Sequence, residues 1–462
     1  MTGTVAGAGS WRELFGRRYR GATIVLAGGV GIYAINEFIT MSMLPSAVDD
    51  IGGARLYAWV TTVYLVASVI GATMVGPVLT RFGPRGSYLG ALLSFAAGTA
   101  VCMLAPSMPV LLAGRTIQGF AGGVLAGLGY AVISAVLPER LWPRAAATVS
   151  AMWGVGTLIG PASGGLFAQL GFWRGGFALL LVLAALVSVL VPIALPDSRG
   201  GVTSALRIPA VSLALLGLAA LIVSLAAVQT DPAITAVLLV LSVSLVVVFV
   251  AVDRTATATV LPRAAFRPGP LKWIYLALGL LMAATMVDMY VPLFGQRSAG
   301  LSPVMAGFMG AALSVGWTLA EIGSASISNR PTAARVVTVA PLVMAVGLGL
   351  AAVTQRDGAG PLTVAVWALA LVITGAGIGS AWPHLSVWAM GSVSDPAEQA
   401  VASAAVNTVQ LICGAFGAGL AGVVVNLRET PDGTAARSVF ALFAALAAVG
   451  VLVSRRAARP PA

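Results

Sequence analysis

Gly154-Val-Gly-Thr-Leu-Ile-Gly-Pro-Ala-Ser-Gly-Gly165 packs five glycines and a proline into twelve residues, inside an apolar run with no charge between Arg144 and Arg174. In water that composition would ruin a helix, because each interior glycine costs about 1 kcal/mol and a proline about 3 kcal/mol. In a bilayer the helix survives, since neighbouring helices resupply the lost packing and hydrogen bonds. Glycines let another backbone come close, and Pro161 bends the rod. The stretch predicts a membrane helix seated on a neighbour through Gly156, Gly160, Gly164 and Gly165.

The rest of the chain agrees. Of 462 residues, 59% are hydrophobic and 9% charged, where a soluble domain carries about 25% charge. Mean hydropathy is +0.98. This excludes a soluble enzyme and predicts a polytopic helical membrane protein; an outer-membrane barrel would instead show alternating strands of about ten residues. The net charge of +11 does not point to nucleic acid, because no basic block exceeds a few residues. Cys102 and Cys413 both lie in apolar runs, so neither a disulfide framework nor a metal site is expected. The first apolar run is long enough to span and lacks a small-residue cleavage site, so no cleaved signal peptide is expected.

Spanning-length apolar runs fall at 23–45, 57–80, 86–106, 108–137, 144–170, 174–195, 207–229, 232–252, 272–295, 302–328, 334–354, 361–390, 398–427 and 436–454. The domain expectation is a basic cytoplasmic segment 1–22, a six-helix bundle 23–195, two extra helices with linkers 196–271, a second six-helix bundle 272–454 and a tail 455–462. In the head, Trp11, Leu14, Phe15 and Arg18 fall at helical spacing, which predicts a short interfacial helix. With the N-terminus inside, the outer segments hold only Arg55, Arg174, Arg297, Arg356, Arg428 and Arg437. Arg115 lies within a span, and the other basic residues of the 26, Arg199 and Arg207 among them, fall on the inner side. The positive-inside rule therefore places both termini in the cytoplasm. The halves repeat weakly: Gly160, Gly165 and Leu166 match Gly414, Gly419 and Leu420 at a constant offset, as in transporters built from two related bundles.

Charges inside a bilayer are expensive and mark functional sites. The spans contain Glu37, Arg115, Asp288 and Glu321. At 1.5 Å per residue, Glu37 lies roughly 12 Å inside Pro45, and Arg115 lies at similar depth inside Ser107. An opposite charge makes both cheaper to bury. An acid whose protonation depends on what else occupies the site is what a proton-coupled exchanger needs; a static ion pair that only fixes helix packing is the alternative. Asp288 and Glu321 are expected to join in coupling or cation binding. His384 reads as an interfacial Trp-Pro-His turn. Among the aromatics, Tyr64, Trp153 and Trp317 are candidates to line a cavity for flat apolar compounds. There is no His-x-x-x-His, no nucleophile elbow and no glycine-rich loop ending in Lys-Ser/Thr. No enzyme activity and no cofactor are expected, and energy must come from an ion gradient or the substrate's own gradient.

Several stretches resemble the major facilitator superfamily, specifically its drug:proton antiporter branch with fourteen helices. The Gly-x-x-x-Gly-Pro-x-x-Gly-Gly order resembles the fifth-helix antiporter signature. Leu112-Ala-Gly-Arg115-Thr-Ile-Gln118-Gly119-Phe-Ala-Gly122 is similar to the fourth-helix motif, whose arginine is associated with proton coupling; the resemblance carries that role to Arg115. Gly76-Pro-Val-Leu-Thr80-Arg81-Phe-Gly83-Pro-Arg85 resembles the cytoplasmic gate loop, with Thr80 where an aspartate is usual. Asn36-Glu37-Phe-Ile-Thr-Met-Ser-Met-Leu-Pro45 resembles the first-helix motif, whose usual aspartate is replaced by Asn36; Glu37 stands one position along, about 100° round the helix.

The resemblance implies an all-α membrane protein of the major facilitator fold, and a proton-coupled exporter of small amphipathic compounds in the bacterial inner membrane. Its expected partners are that substrate, protons and the lipid bilayer, with no nucleic acid, and it is expected to act as a monomer. Asn36, Gln118, Tyr64, Trp153 and Trp317 are the expected substrate contacts. Export of an endogenous lipid or metabolite, and a non-transporting sensor or scaffold, are the alternatives.

Overall fold

A computed structural model of the chain describes residues 10–197, 208–393, 395–427 and 433–459. Arg199, Arg207 and Arg428, counted above as loop charges, lie outside the described residues. No strand occurs among the described residues, and 14 helices are long and apolar enough to cross a membrane. They are α1 (Arg20–Ile51), α2 (Ala54–Thr73), α3 (Val75–Met103), α4 (Met108–Ala131), α5 (Glu139–Gln169), α6 (Arg174–Ala194), α7 (Ala210–Val228), α8 (Pro232–Thr255), α9 (Leu271–Ala299), α10 (Pro303–Ala325), α11 (Arg330–Thr354), α12 (Pro361–Gly391), α13 (Val401–Asn426) and α14 (Gly433–Ala457). A short helix, Trp11–Leu14, precedes them and is capped by the Ser10 hydroxyl on the Glu13 amide.

The chain divides into two compact units. The first runs up to Met43 and resumes from Ala67 to the end of α6; the second takes Leu44–Val66 and everything from Ile208 onward. The end of α1 and the first half of α2 thus belong with the C-terminal helices, and so do α7 and α8.

In the first unit the glycines of α5 meet α1. A Cβ on Gly156 would stand 2.7 Å from that of Ala34, and one on Gly164 would stand 2.5 Å from the Ile39 carbonyl oxygen. One on Gly160 would strike Phe38, whereas Gly154 faces open space. Pro161 and Gly165 are buried in the same helix. The gate-loop stretch is helical on both sides of one break at Gly83 (φ 66°, ψ 179°). That conformation is essentially open only to glycine. Ser87 braces the break by donating to the carbonyls of Gly83 (2.6 Å) and Val78 (3.1 Å). Thr80 donates back to Gly76 (2.9 Å), and Arg85 reaches the Leu195 carbonyl (3.1 Å) and Asp197 (3.4 Å) beyond α6. Arg81 is exposed beside the Phe82 ring.

In the second unit α7 is stitched to its neighbours by polar groups. Trp59 Nε1 donates to the Ser224 carbonyl (2.8 Å) and Ser224 Oγ to Thr62 Oγ1 (2.9 Å). Asn426 Nδ2 donates to the carbonyls of Arg55 (2.8 Å) and Ala227 (2.9 Å). A Cβ on Gly419 of α13 would stand 2.9 Å from Val223 Cγ1, and one on Gly422 3.2 Å from the Ala227 Cβ, so both glycines leave room for α7. Close by, Tyr57 stacks on Tyr290 (4.8 Å between ring centres), and Arg297 pairs with Asp49 at 2.7 Å.

The ninth span differs from its sequence expectation. Instead of one uninterrupted helix over 272–295, α9 contains a 3₁₀ segment at Met286–Tyr290 between α-helical pieces Leu271–Thr285 and Val291–Ala299. Pro292 has no N–H to return to the Asp288 carbonyl. The Val291 N–H takes that carbonyl one residue early, which tightens the turn. A mid-helix 3₁₀ stretch often marks a functional hinge, and Asp288 sits in it.

Candidate functional site

The first unit holds a buried polar network across α1, α3 and α4. Arg115 and Gln118 share one face of α4, a helical turn apart. Both are buried, as are Asn36, Thr40 and Thr99. Arg115 NH1 donates to Asn36 Oδ1 (3.1 Å), Gln118 Oε1 (3.0 Å) and Thr40 Oγ1 (3.4 Å). Gln118 Nε2 donates to Thr99 Oγ1 (2.8 Å), which passes its own proton to the Phe95 carbonyl (2.7 Å). The Cys102 thiol also points at Gln118 Oε1 (3.4 Å). A guanidinium is affordable in hydrocarbon only when its donors are met this way.

Glu37 is partly buried and within electrostatic range of Arg115. A direct Glu37–Arg115 pair was the sequence expectation; the side chain that meets NH1 from α1 is Asn36. The register explains it. Asn36 and Thr40 are four apart on one face, while Glu37 is turned aside from it. The amide nitrogen of Asn36, Nδ2, is buried and has no hydrogen-bond partner. It is an unspent donor beside a buried cation.

The other expected site residues are distributed between the units. Trp153 of α5 lies edge-on to Tyr33 of α1, 5.7 Å between ring centres, in the first unit. Tyr64 is buried in the stretch of α2 that belongs to the second unit. Asp288 occupies the 3₁₀ segment, partly buried. Trp317 Nε1 donates to Glu321 Oε2 at 2.9 Å. Sequence reasoning missed Thr40, Thr99 and Trp382. Thr40 was signalled by its spacing from Asn36; Thr99 and Trp382 become visible only when helices are packed. His384 is not an interfacial turn: it is buried in α12, with Nε2 2.9 Å from Ser324 Oγ.

Residues 26–418 match the family model described as Major Facilitator Superfamily. The chain belongs to the major facilitator superfamily. It is 57% identical over 463 residues to "Probable multidrug-efflux transporter Rv1634" of Mycobacterium tuberculosis, covering 99% of this chain and 98% of that one. The "Multidrug transporter protein MdtP" of Bacillus subtilis is 24% identical, with 86% and 73% covered. Among solved structures, the inward-open xylose transporter XylE from E. coli superposes with a TM-score of 0.65 at 15% identity, covering 96% of each chain. The fold is therefore that of the superfamily's transporters, and the protein is a multi-pass membrane transporter of small molecules, not an enzyme.

Proposed function

We propose that this superfamily member exports chemically varied amphipathic compounds from the bacterial cytoplasm in exchange for protons. It works by alternating access of two six-helix bundles, with α7 and α8 as the added pair. The export reading is supported by the 57% identity to a chain named as a multidrug-efflux transporter. Proton exchange is carried by one observation: a buried Arg115 in the spans, hydrogen-bonded through NH1, with an acid, Glu37, in its field.

The chemistry follows from that arrangement. The Arg115 cation holds α1 to α4 through neutral acceptors, so the link survives whether Glu37 is charged or protonated. Cargo arriving beside Glu37 changes the field there and with it the cost of the carboxylate. Proton and cargo then compete for one acid, which couples their opposite movements. Asn36 Nδ2 supplies a donor for a cargo oxygen, and Gln118, on the same Arg115 network, and Trp153, edge-on to Tyr33 of α1, are the further cargo contacts of this unit. In the second unit Tyr64 and Trp317 are the cargo contacts, and Asp288 in its hinge and Glu321 are the further acids. Gly76–Arg85 serves as the cytoplasmic gate loop, with Thr80, whose hydroxyl donates back to the Gly76 carbonyl, in place of a charge.

Proteoliposomes containing only this protein test the reading. An imposed pH gradient should drive accumulation of amphipathic dyes, and adding dye should move protons the opposite way. Dye movement indifferent to the gradient, with no proton flux, would reject proton exchange.

A further inference from the structure

Helix α14 has two unlike faces. Phe443, Ala447 and Gly450 are buried on one side, whereas Val449 and Leu452 on the other are 53% and 60% exposed. Arg456 continues that outward stripe one turn beyond Leu452, at the cytoplasmic end. Helix α9 repeats the arrangement in the opposite chain direction. Lys272 is exposed at its cytoplasmic start, and Leu276, one turn deeper, is 46% exposed. Each helix thus sets an outward apolar side chain inside the bilayer and a cation above it.

Trp273 brings the two cations together. The Arg456 guanidinium carbon stands 4.6 Å from the centre of its ring and the Lys272 ammonium 5.7 Å. The ring face attracts both, but two like charges at one indole raise the local positive potential. Among the described residues neither cation meets a carboxylate, and neither these side chains nor the Trp273 N–H has a hydrogen-bond acceptor. The only acid in the sequence between Asp231 and Asp288 is Asp253. It is fully buried and accepts from the amides of Val260 (2.8 Å) and Leu261 (2.9 Å), so it is closed into its own loop. No acid follows Asp432 in the sequence.

We infer that Lys272, Trp273 and Arg456 hold the headgroup phosphate of an anionic phospholipid of the inner leaflet, with its acyl chains along Leu276, Val449 and Leu452. The planar fork of Arg456 matches two phosphate oxygens, and Lys272 adds a point charge. The indole N–H is a further donor. Cations set between membrane helices at the cytoplasmic side suit anionic headgroups. A soluble phosphate or an acidic peptide would use the cations and leave the outward apolar stripe idle; a lipid uses both. The site draws on none of the groups assigned to export or coupling and stands apart from that reading.

Native mass spectrometry of the purified, delipidated full-length protein in detergent tests this. The probes are dioctanoyl-phosphatidylglycerol as the anionic lipid, dioctanoyl-phosphatidylcholine as its zwitterionic counterpart and inorganic phosphate as the soluble anion. Wild-type protein should bind the anionic lipid at least about tenfold more tightly than the zwitterionic one, and inorganic phosphate at equal concentration should not displace it. Lys272→Gln/Arg456→Gln should abolish the preference, and Arg456→Lys, which keeps the charge, should retain most of it. Arg254→Gln/Arg335→Gln removes the same charge elsewhere on the cytoplasmic side and should leave the preference unchanged. All four side chains are exposed, so the variants should fold. An equal loss in both double variants would reduce the effect to net charge and overturn the site. So would a Lys272→Gln/Arg456→Gln protein that binds the anionic lipid like wild type. Displacement by inorganic phosphate at equal concentration would overturn the lipid assignment.

Discussion

Arg115 donates through NH1 to the amide oxygen of Asn36 at 3.1 Å, joining α4 to α1 by a bond in which no carboxylate takes part. On the exchange reading proposed above, helix attachment falls to Asn36 and proton chemistry to its neighbour Glu37. Glu37→Gln should cut gradient-driven efflux at least about tenfold, with normal membrane insertion and thermal stability. Asn36→Ala should do the reverse first: it removes an acceptor from a buried cation, a loss of about 1.5–3 kcal/mol, read as a lower unfolding temperature. Wild-type uphill efflux in Glu37→Gln would remove that residue from the coupling step.

Much of this architecture is written in local composition and spacing. Fourteen apolar runs, the shared face of Arg115 and Gln118 and the small-residue face of α5 all express a local period or length, so they survive without tertiary information. What was not legible depends on partners. Charge drew the expectation to Glu37, although the register gave the contact to Asn36. The run of Leu, Val and Ala in α7 says nothing about which helix it meets, and its attachment comes from Ser224 and from Trp59, Thr62 and Asn426 on other helices. The tight turn in α9 was signalled only by Pro292. The pairing of Trp317 with Trp382 depends on a backbone contact between distant segments.

The α5 glycines should differ sharply in tolerance. Gly164→Leu drives a side chain into the Ile39 backbone, where even a Cβ stands at 2.5 Å. Overpacking of this kind costs about 1–3 kcal/mol or more, so the variant should lose transport and unfold at lower temperature. Gly154→Leu, on the same helix with nothing within 4 Å, should behave as wild type. Normal turnover by Gly164→Leu would contradict a tight α1–α5 contact.

The Ser224–Thr62 bond makes α7 a partner of α2 and not a passive spacer. The two hydroxyl oxygens are 2.9 Å apart, close enough for cysteines at these positions to meet disulfide geometry. With Cys102 and Cys413 replaced by alanine, Thr62→Cys/Ser224→Cys should cross-link on oxidation. If α2 must leave α7 during turnover, efflux should stop when the link forms and return on reduction. A linked protein that still turns over would show that the two helices travel together throughout the cycle.

The N-terminal helix offers a pH test outside the bilayer. Glu13 pairs with Arg140 at the start of α5, Trp11 lies by Arg144, and Leu14 is buried. The hydrogen bond from Arg140 holds the Glu13 carboxyl below its usual 4.5. A carboxyl lowered in the docked state stabilises docking fully above its free value, and that contribution is lost as pH falls through the lowered one. Docking should therefore be constant from about pH 5 to 8 and weaken only in acid. Because both side chains are exposed by a third or so, 43% and 31%, added salt should weaken it too. Hydrogen exchange over residues 11–15 reads this directly. Glu13→Gln should exchange faster at neutral pH and lose the acid step; an acid step that persists in Glu13→Gln would assign it to another group.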